Sequence, residues 1–163
     1  MGHRLVPWAA SAAPFSDGAQ VELKAMDDTW TQRPPPQLGG PSWQWELSTT
    51  ADLHFVRADV RRLVDAESVV MNDARCERFL LAVEELASNG LRHGGPPVRA
   101  RVVAATDGLL IEVSDSQPEH APELAIGRDP ALGGLGLFLV ARLTTTHGWL
   151  VTAERKYVWA YCT

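Results

Sequence analysis

Three groups of residues in this chain could do chemistry together. Glu85, Asn89 and His93 are spaced four apart. On a helix four residues turn roughly 400°, so each returns to nearly the same face about 6 Å further along the axis. A carboxylate and an amide oxygen one turn apart suit a hard cation that keeps most of its waters, such as Mg2+. A carboxylate beside such an ion can also take a proton from an attacking hydroxyl. Asp115 stands just past an apolar strand and before a proline-rich loop, where it can accept a hydrogen bond from an exocyclic amine such as that of adenine. Gly133-Gly134-Leu135-Gly136-Leu137 forms the third group. Glycines at the head of a helix let backbone N–H groups approach an anion, and the helix end favours negative charge. Each group also has a plainer explanation: a solvated helix face (which spacing alone favours), a turn aspartate, and glycines kept for packing or capping. No Gly-Lys-Ser/Thr follows the glycines and no parallel βαβ unit surrounds them, so they form neither a Walker motif nor a dinucleotide fingerprint.

The elements that must position these residues can be read from periodicity. Trp43-Gln44-Trp45-Glu46-Leu47 alternates as a half-buried strand. Leu53, Val56, Val60 and Leu63 or Val64 fall at helical spacing in residues 51–64, with Thr49, Thr50 or Asp52 to cap them. Asn72 is a suitable N-cap for a second helix over 73–92, with Phe79, Leu80, Val83, Leu86, Ala87 and Leu91 as its core stripe and Gly94-Gly95-Pro96-Pro97 as its stop. Alternating Val98, Ala100 and Val102, the Asp107-Gly108 turn and the apolar run 109–113 predict a hairpin. Residues 115–132 make a long loop of the kind that is usually functional. A helix over 135–145, ended by Gly148, and a hairpin of 149–153 with 157–162 complete the chain. The order predicts an α/β fold, a two-layer α/β sandwich in which helices cover one face of a mixed, mostly antiparallel sheet.

Residues 1–42 differ in composition, with six of the eleven prolines and four glycines. They are expected to be a flexible arm or linker whose Trp8 and Trp30 either dock on a surface or stay exposed, with the folded domain over 43–163. The remaining composition bounds the function. At 163 residues and 45% apolar, the chain can bury one core. A net charge of -5, with only Arg57, Arg61 and Arg62 clustered, disfavours a direct nucleic-acid partner. Cys76 and Cys162 have no metal-type spacing and suit a reducing cytoplasm. No apolar run of about 18 residues or clean signal peptide is present.

Taken together and in order, the three groups resemble a known family. Residues 50–162 are similar to the ATPase domain shared by gyrase-type topoisomerases, histidine kinases and MutL, and more closely to its stand-alone anti-sigma-factor serine/threonine kinase branch, especially short actinobacterial regulators. The run from Leu81 to Gly94 resembles that branch's first ATP box, Val113-Ser114-Asp115 its adenine box, Gly134-Leu135-Gly136-Leu137-Phe138-Leu139-Val140 its glycine box, and Lys156-Tyr157-Val158-Trp159 its closing strand. The resemblance implies that Asn89 holds Mg2+ bridging the phosphates of ATP, and that Glu85 is the general base for the acceptor hydroxyl. It also implies that Asp115 bonds the adenine amine and that Gly134 and Gly136 let the lid and helix start close over the phosphates. His93 is left without a role. Two departures stand out. The adenine box reads Asp115-Ser116-Gln117-Pro118-Glu119 where the family continues Asp-x-Gly-x-Gly, and Tyr157 replaces a threonine.

The implied function is a cytoplasmic Mg-ATP-binding regulator: an anti-sigma factor that phosphorylates an anti-sigma-factor antagonist. Its partners would be a sigma factor and that antagonist, docking on the first helix around Arg57, Arg61 and Arg62. Homodimerisation is compatible with the branch. The alternative is a non-catalytic module of the same fold that regulates a partner by binding. A two-component histidine kinase is disfavoured, because the surroundings of His54 do not resemble a phosphoacceptor box and no dimerisation hairpin fits before residue 70.

Overall fold

The computed structural model describes residues 30–66, 69, 71–122 and 135–163. Among the described residues eight elements follow in order: β1 (Ser42–Leu47), α1 (Asp52–Ala66), α2 (Asp73–His93), β2 (Val98–Ala105), β3 (Gly108–Asp115), α3 (Leu135–Leu143), β4 (Thr146–Val151) and β5 (Lys156–Cys162). The strands form one sheet in the order β1-β2-β3-β5-β4, and every neighbouring pair is antiparallel. The predicted two-layer α/β sandwich is therefore present. The helices start where local chemistry starts them. The Asn72 side chain accepts a hydrogen bond from the Arg75 backbone N–H at 2.9 Å and caps α2. Asp52, inside the first turn of α1, reaches back to the backbone N–H groups of Ser48 and Thr49. Two boundaries differ from expectation. α3 ends at Leu143 and β4 begins at Thr146, upstream of Gly148. The β-branched run Thr144-Thr145-Thr146 favours an extended backbone, and Thr145 N–H already bonds Tyr161 O at 2.8 Å.

One core lies between the helices and the sheet. Phe79, Leu80, Val83 and Leu86 of α2 pack with Val56, Val60 and Val64 of α1, Leu137 and Val140 of α3, and the inward residues Trp45, Ala100, Val102, Leu109, Ile111 and Ala160 of the strands. The Trp45 indole donates to Asp59 at 3.0 Å, fixing α1 to β1. Both cysteines are free and buried. Burial raises the Cys76 thiol above its ordinary value and pushes that of Cys162 up to about 12. Since the thiolate is the nucleophile, neither should react with iodoacetamide at pH 8 in the folded protein. Both should react in denaturant, and mass spectrometry of the two samples checks this.

Defined packing begins upstream of Trp43. Residues 31–33 lie along the free edge of β4, where Arg33 N–H bonds Trp149 O at 2.8 Å and Trp149 N–H bonds Thr31 O at 3.1 Å. The chain then crosses the outer face of the sheet, where Leu38 packs on Val103, Leu110, Trp159 and Tyr161. It reaches the opposite edge at Pro41, whose carbonyl accepts from Ala104 N–H at 2.9 Å. Residues 34–36 are all proline, so the crossing segment offers no N–H donors there and can run extended without pairing. The expected linker is thus, from Trp30 onward, a strap across the sheet. Trp30 donates to Leu137 O at 3.1 Å and packs against His147, the two rings tilted by 46° with centroids 4.7 Å apart. The Trp159 indole donates to Arg33 O at 2.9 Å, under the Arg33 guanidinium. A Cβ at Gly148 would meet the Trp159 ring at 2.8 Å and Arg33 Cγ at 2.9 Å, so glycine is required for this close layering. The same outer face holds the pair Arg101–Glu112, 3.8 Å apart, where burial raises the Glu112 carboxyl above its usual range despite the arginine.

Candidate nucleotide site

The last turns of α2 meet two other elements. On one side, a Cβ at Gly136 would fall on Glu85 Oε2, so the Glu85 carboxylate rests against the first turn of α3. That helix end carries partial positive charge, and only a residue without a side chain lets the carboxylate approach so closely. At its end, α2 presses on the end of β3. A Cβ at Gly94 would lie 2.5 Å from Asp115 Cβ and 2.6 Å from its Cγ. Ser116 N–H then bonds Gly95 O at 2.9 Å, and Ser116 Oγ donates to Pro96 O at 2.9 Å. The Gly94-Gly95 stop, expected to end the helix, therefore also places Asp115 directly below the helix terminus. Asn89 lies between these two contacts on α2, half-buried like Glu85, while His93 is exposed. Glu85 and Asn89 thus lie on the stretch of α2 that runs from the Gly136 contact to the Asp115 contact. Gly133, Gly134 and the rest of the predicted lid over 123–134 lie outside the described residues.

Asp115 is 2% exposed. Its Oδ1 accepts from Gln117 N–H at 2.9 Å, and its Oδ2 lies 3.4 Å from Lys156 Nζ. Lys156 stands opposite Asp115 in the β3–β5 register and is itself buried. It donates to His120 O at 2.8 Å, drawing the loop after β3 back over the carboxylate. Arg155 braces the same corner, donating to Pro97 O at 2.6 Å and Ser114 O at 3.0 Å. Neither Lys156 nor Arg155 emerges as a site residue from the sequence. The available signal was a lysine at an inward-facing position of an otherwise apolar closing strand, and its partner becomes visible only once β3 and β5 are known to be neighbours.

Among the described residues no group of three or more His, Cys, Asp or Glu side chains could hold a metal. The Asn89 amide oxygen fits an Mg2+ ion that arrives with phosphate oxygens and water as its remaining ligands, and the Glu85 carboxylate one turn away can take a proton beside it. The arginines expected to form a docking surface have partners within the chain. Arg57 pairs with Glu77 at 2.7 Å and Glu84 at 3.5 Å, Arg61 also pairs with Glu77, and Arg62 pairs with Asp59. Arg57 and Arg61 therefore join α1 to α2. No helix among the described residues is long and apolar enough to cross a membrane.

Residues 48–161 match the family model of the histidine kinase-like ATPase domain. That span runs from the end of β1 to the penultimate residue of β5 and includes all the site residues above. No curated protein matches the chain.

Proposed function

We propose, on the premise that this chain belongs to the histidine kinase-like ATPase domain family, that it is a Mg-ATP-binding regulatory protein acting as an anti-sigma factor and serine/threonine kinase toward an anti-sigma-factor antagonist. ATP binding is the property of the family. The narrower reading is supported above all by two contacts of α2, Glu85 against Gly136 at the start of α3 and Gly94 against Asp115 at the end of β3, with Asn89 between them on the helix. In this reading Asp115 receives the adenine amine and Asn89 supplies an amide oxygen to the phosphate-bound Mg2+. The ion, when bound, neutralises phosphate charge, which is the main requirement of phosphoryl transfer. Glu85 accepts the proton of the attacking hydroxyl, and the Gly136 backbone leaves room for the groups that meet there. The protein would act in the cytoplasm, with the antagonist and a sigma factor as its partners.

Calorimetric titration of Mg-ATP tests the binding step. Wild type should bind, and Asn89→Ala should lose affinity by at least about tenfold. No binding by the wild type would remove the site. Transfer of radiolabel from ATP to a serine or threonine of an antagonist tests the kinase step, and absence of transfer to every antagonist tried would count against it.

A second reading, a module that regulates by binding without catalysis, is favoured by two observations. The segment Asp115-Ser116-Gln117-Pro118-Glu119 lacks the family's glycines, and Asp115 is already paired with Lys156. Nucleotide binding without label transfer would select it.

A further inference from the structure

The buried lysine has no part in the site just described, yet it contacts the carboxylate on which base recognition rests. An ammonium group is costly to bury unless it is paired and hydrogen-bonded. Lys156 meets this condition with two partners, Asp115 Oδ2 at 3.4 Å and His120 O at 2.8 Å. Both ends of the contact are closed to water, with Asp115 2% and Lys156 6% exposed. The other carboxylate oxygen is taken by Gln117 N–H at 2.9 Å. Asp115 therefore carries a positively charged donor where an adenine amine would donate, and the loop carbonyl holding that donor folds the loop over the carboxylate.

We propose that Lys156 is an internal competitor for Asp115: its ammonium satisfies the base-recognition carboxylate and latches the loop at His120, so that nucleotide binds only by breaking both contacts. This rests on the assignment of Asp115 to the base. It gives nucleotide binding a mechanical output, because a base amine that displaces Lys156 also frees the backbone of residues 116–120. It also accounts for a lysine at an inward position of a closing strand, where pairing within the sheet asks for nothing charged. The weak link of the latch is the ion pair, whose 3.4 Å separation is longer than a close charged hydrogen bond.

The test is calorimetric titration of Mg-ATP into the full chain as wild type, Lys156→Met and Lys156→Gln. Without the competitor both variants should bind at least about tenfold more tightly than wild type. The glutamine variant can still donate to His120 O, so it serves as the readout if the methionine variant does not fold. Independently, saturating the wild type with Mg-ATP should speed amide hydrogen exchange in residues 116–120. Wild-type binding with equal or weaker binding in the folded variants would overturn the latch alone, as would unchanged exchange on saturation. Binding by the variants and not by the wild type would support it. Binding by none of the three would overturn the nucleotide site itself, and the latch with it.

Discussion

Glu85→Gln should lower phosphoryl transfer to the acceptor hydroxyl by about 10²–10⁴-fold, the usual range for losing a general base, while Mg-ATP still binds. The substitution keeps the shape of the side chain and its fit against Gly136, but an amide cannot take up the hydroxyl proton. Glu85 is half-buried on α2, and its backbone carbonyl accepts from Ser88 Oγ at 3.2 Å, a contact the change leaves intact. Neither the core nor the cap of α2 depends on it. The effect should therefore appear in the rate of transfer, with the nucleotide dissociation constant and the denaturation midpoint near wild type. Single-turnover transfer at saturating Mg-ATP separates the two quantities. A glutamine variant with wild-type transfer would show that Glu85 is not the base. Loss of nucleotide binding together with activity would make Glu85 a binding residue.

The second large effect lies away from the site. Trp159→Ala should destabilise the protein by about 3–5 kcal/mol, as expected for a large aromatic removed from a packed interior. That is a substantial part of the roughly 5–15 kcal/mol that holds such a domain together. Trp159 is 2% exposed although it stands on the sheet face opposite the helices. It is covered by the strap, which gives its indole N–H the Arg33 carbonyl and lays the guanidinium over the ring. Truncation removes this support from both sides, leaving a void over Gly148 and a strap without its main anchor. Trp159→Phe keeps most of the apolar area and leaves Arg33 O without this donor. It should cost less, about 1–2 kcal/mol. Urea unfolding followed by circular dichroism measures both variants. If Trp159→Ala lowers stability by under about 0.5 kcal/mol, of the size expected for a surface substitution, the strap does not contribute to the fold.

The two predictions concern parts of the chain that differ in how they could be foreseen. α2 could be read from end to end. Asn72 is a capping residue, the apolar stripe repeats at helical spacing, and Gly94-Gly95-Pro96-Pro97 cannot continue a helix, so local chemistry decided its limits and its polar face. The strands β1, β2 and β3 were equally legible, because alternation and an Asp-Gly turn are local signals. Placing Glu85 and Asn89 on one stripe needed only the helical repeat.

What surrounds that stripe could not be obtained locally. That Gly136 touches Glu85 and that Gly94 lies on Asp115 depend on how α2 packs on α3 and β3, and that Lys156 faces Asp115 follows from the strand order β1-β2-β3-β5-β4; each brings together residues far apart in the chain. The strap depends on tertiary context for a related reason. Its prolines and glycines do rule out helix and central strand, but they do not rule out docking. Whether such a segment stays free depends on a distant surface, here Trp159, Tyr161, Leu110 and Val103, that becomes a surface only when the sheet forms. The elements, their polar and apolar faces and the identity of the chemical groups are local properties of the chain, because they follow from neighbours within a turn or two. The tertiary structure alone decided which groups meet, and so which charges are paired, since pairing is a matter of distance in space between residues that sequence leaves unrelated.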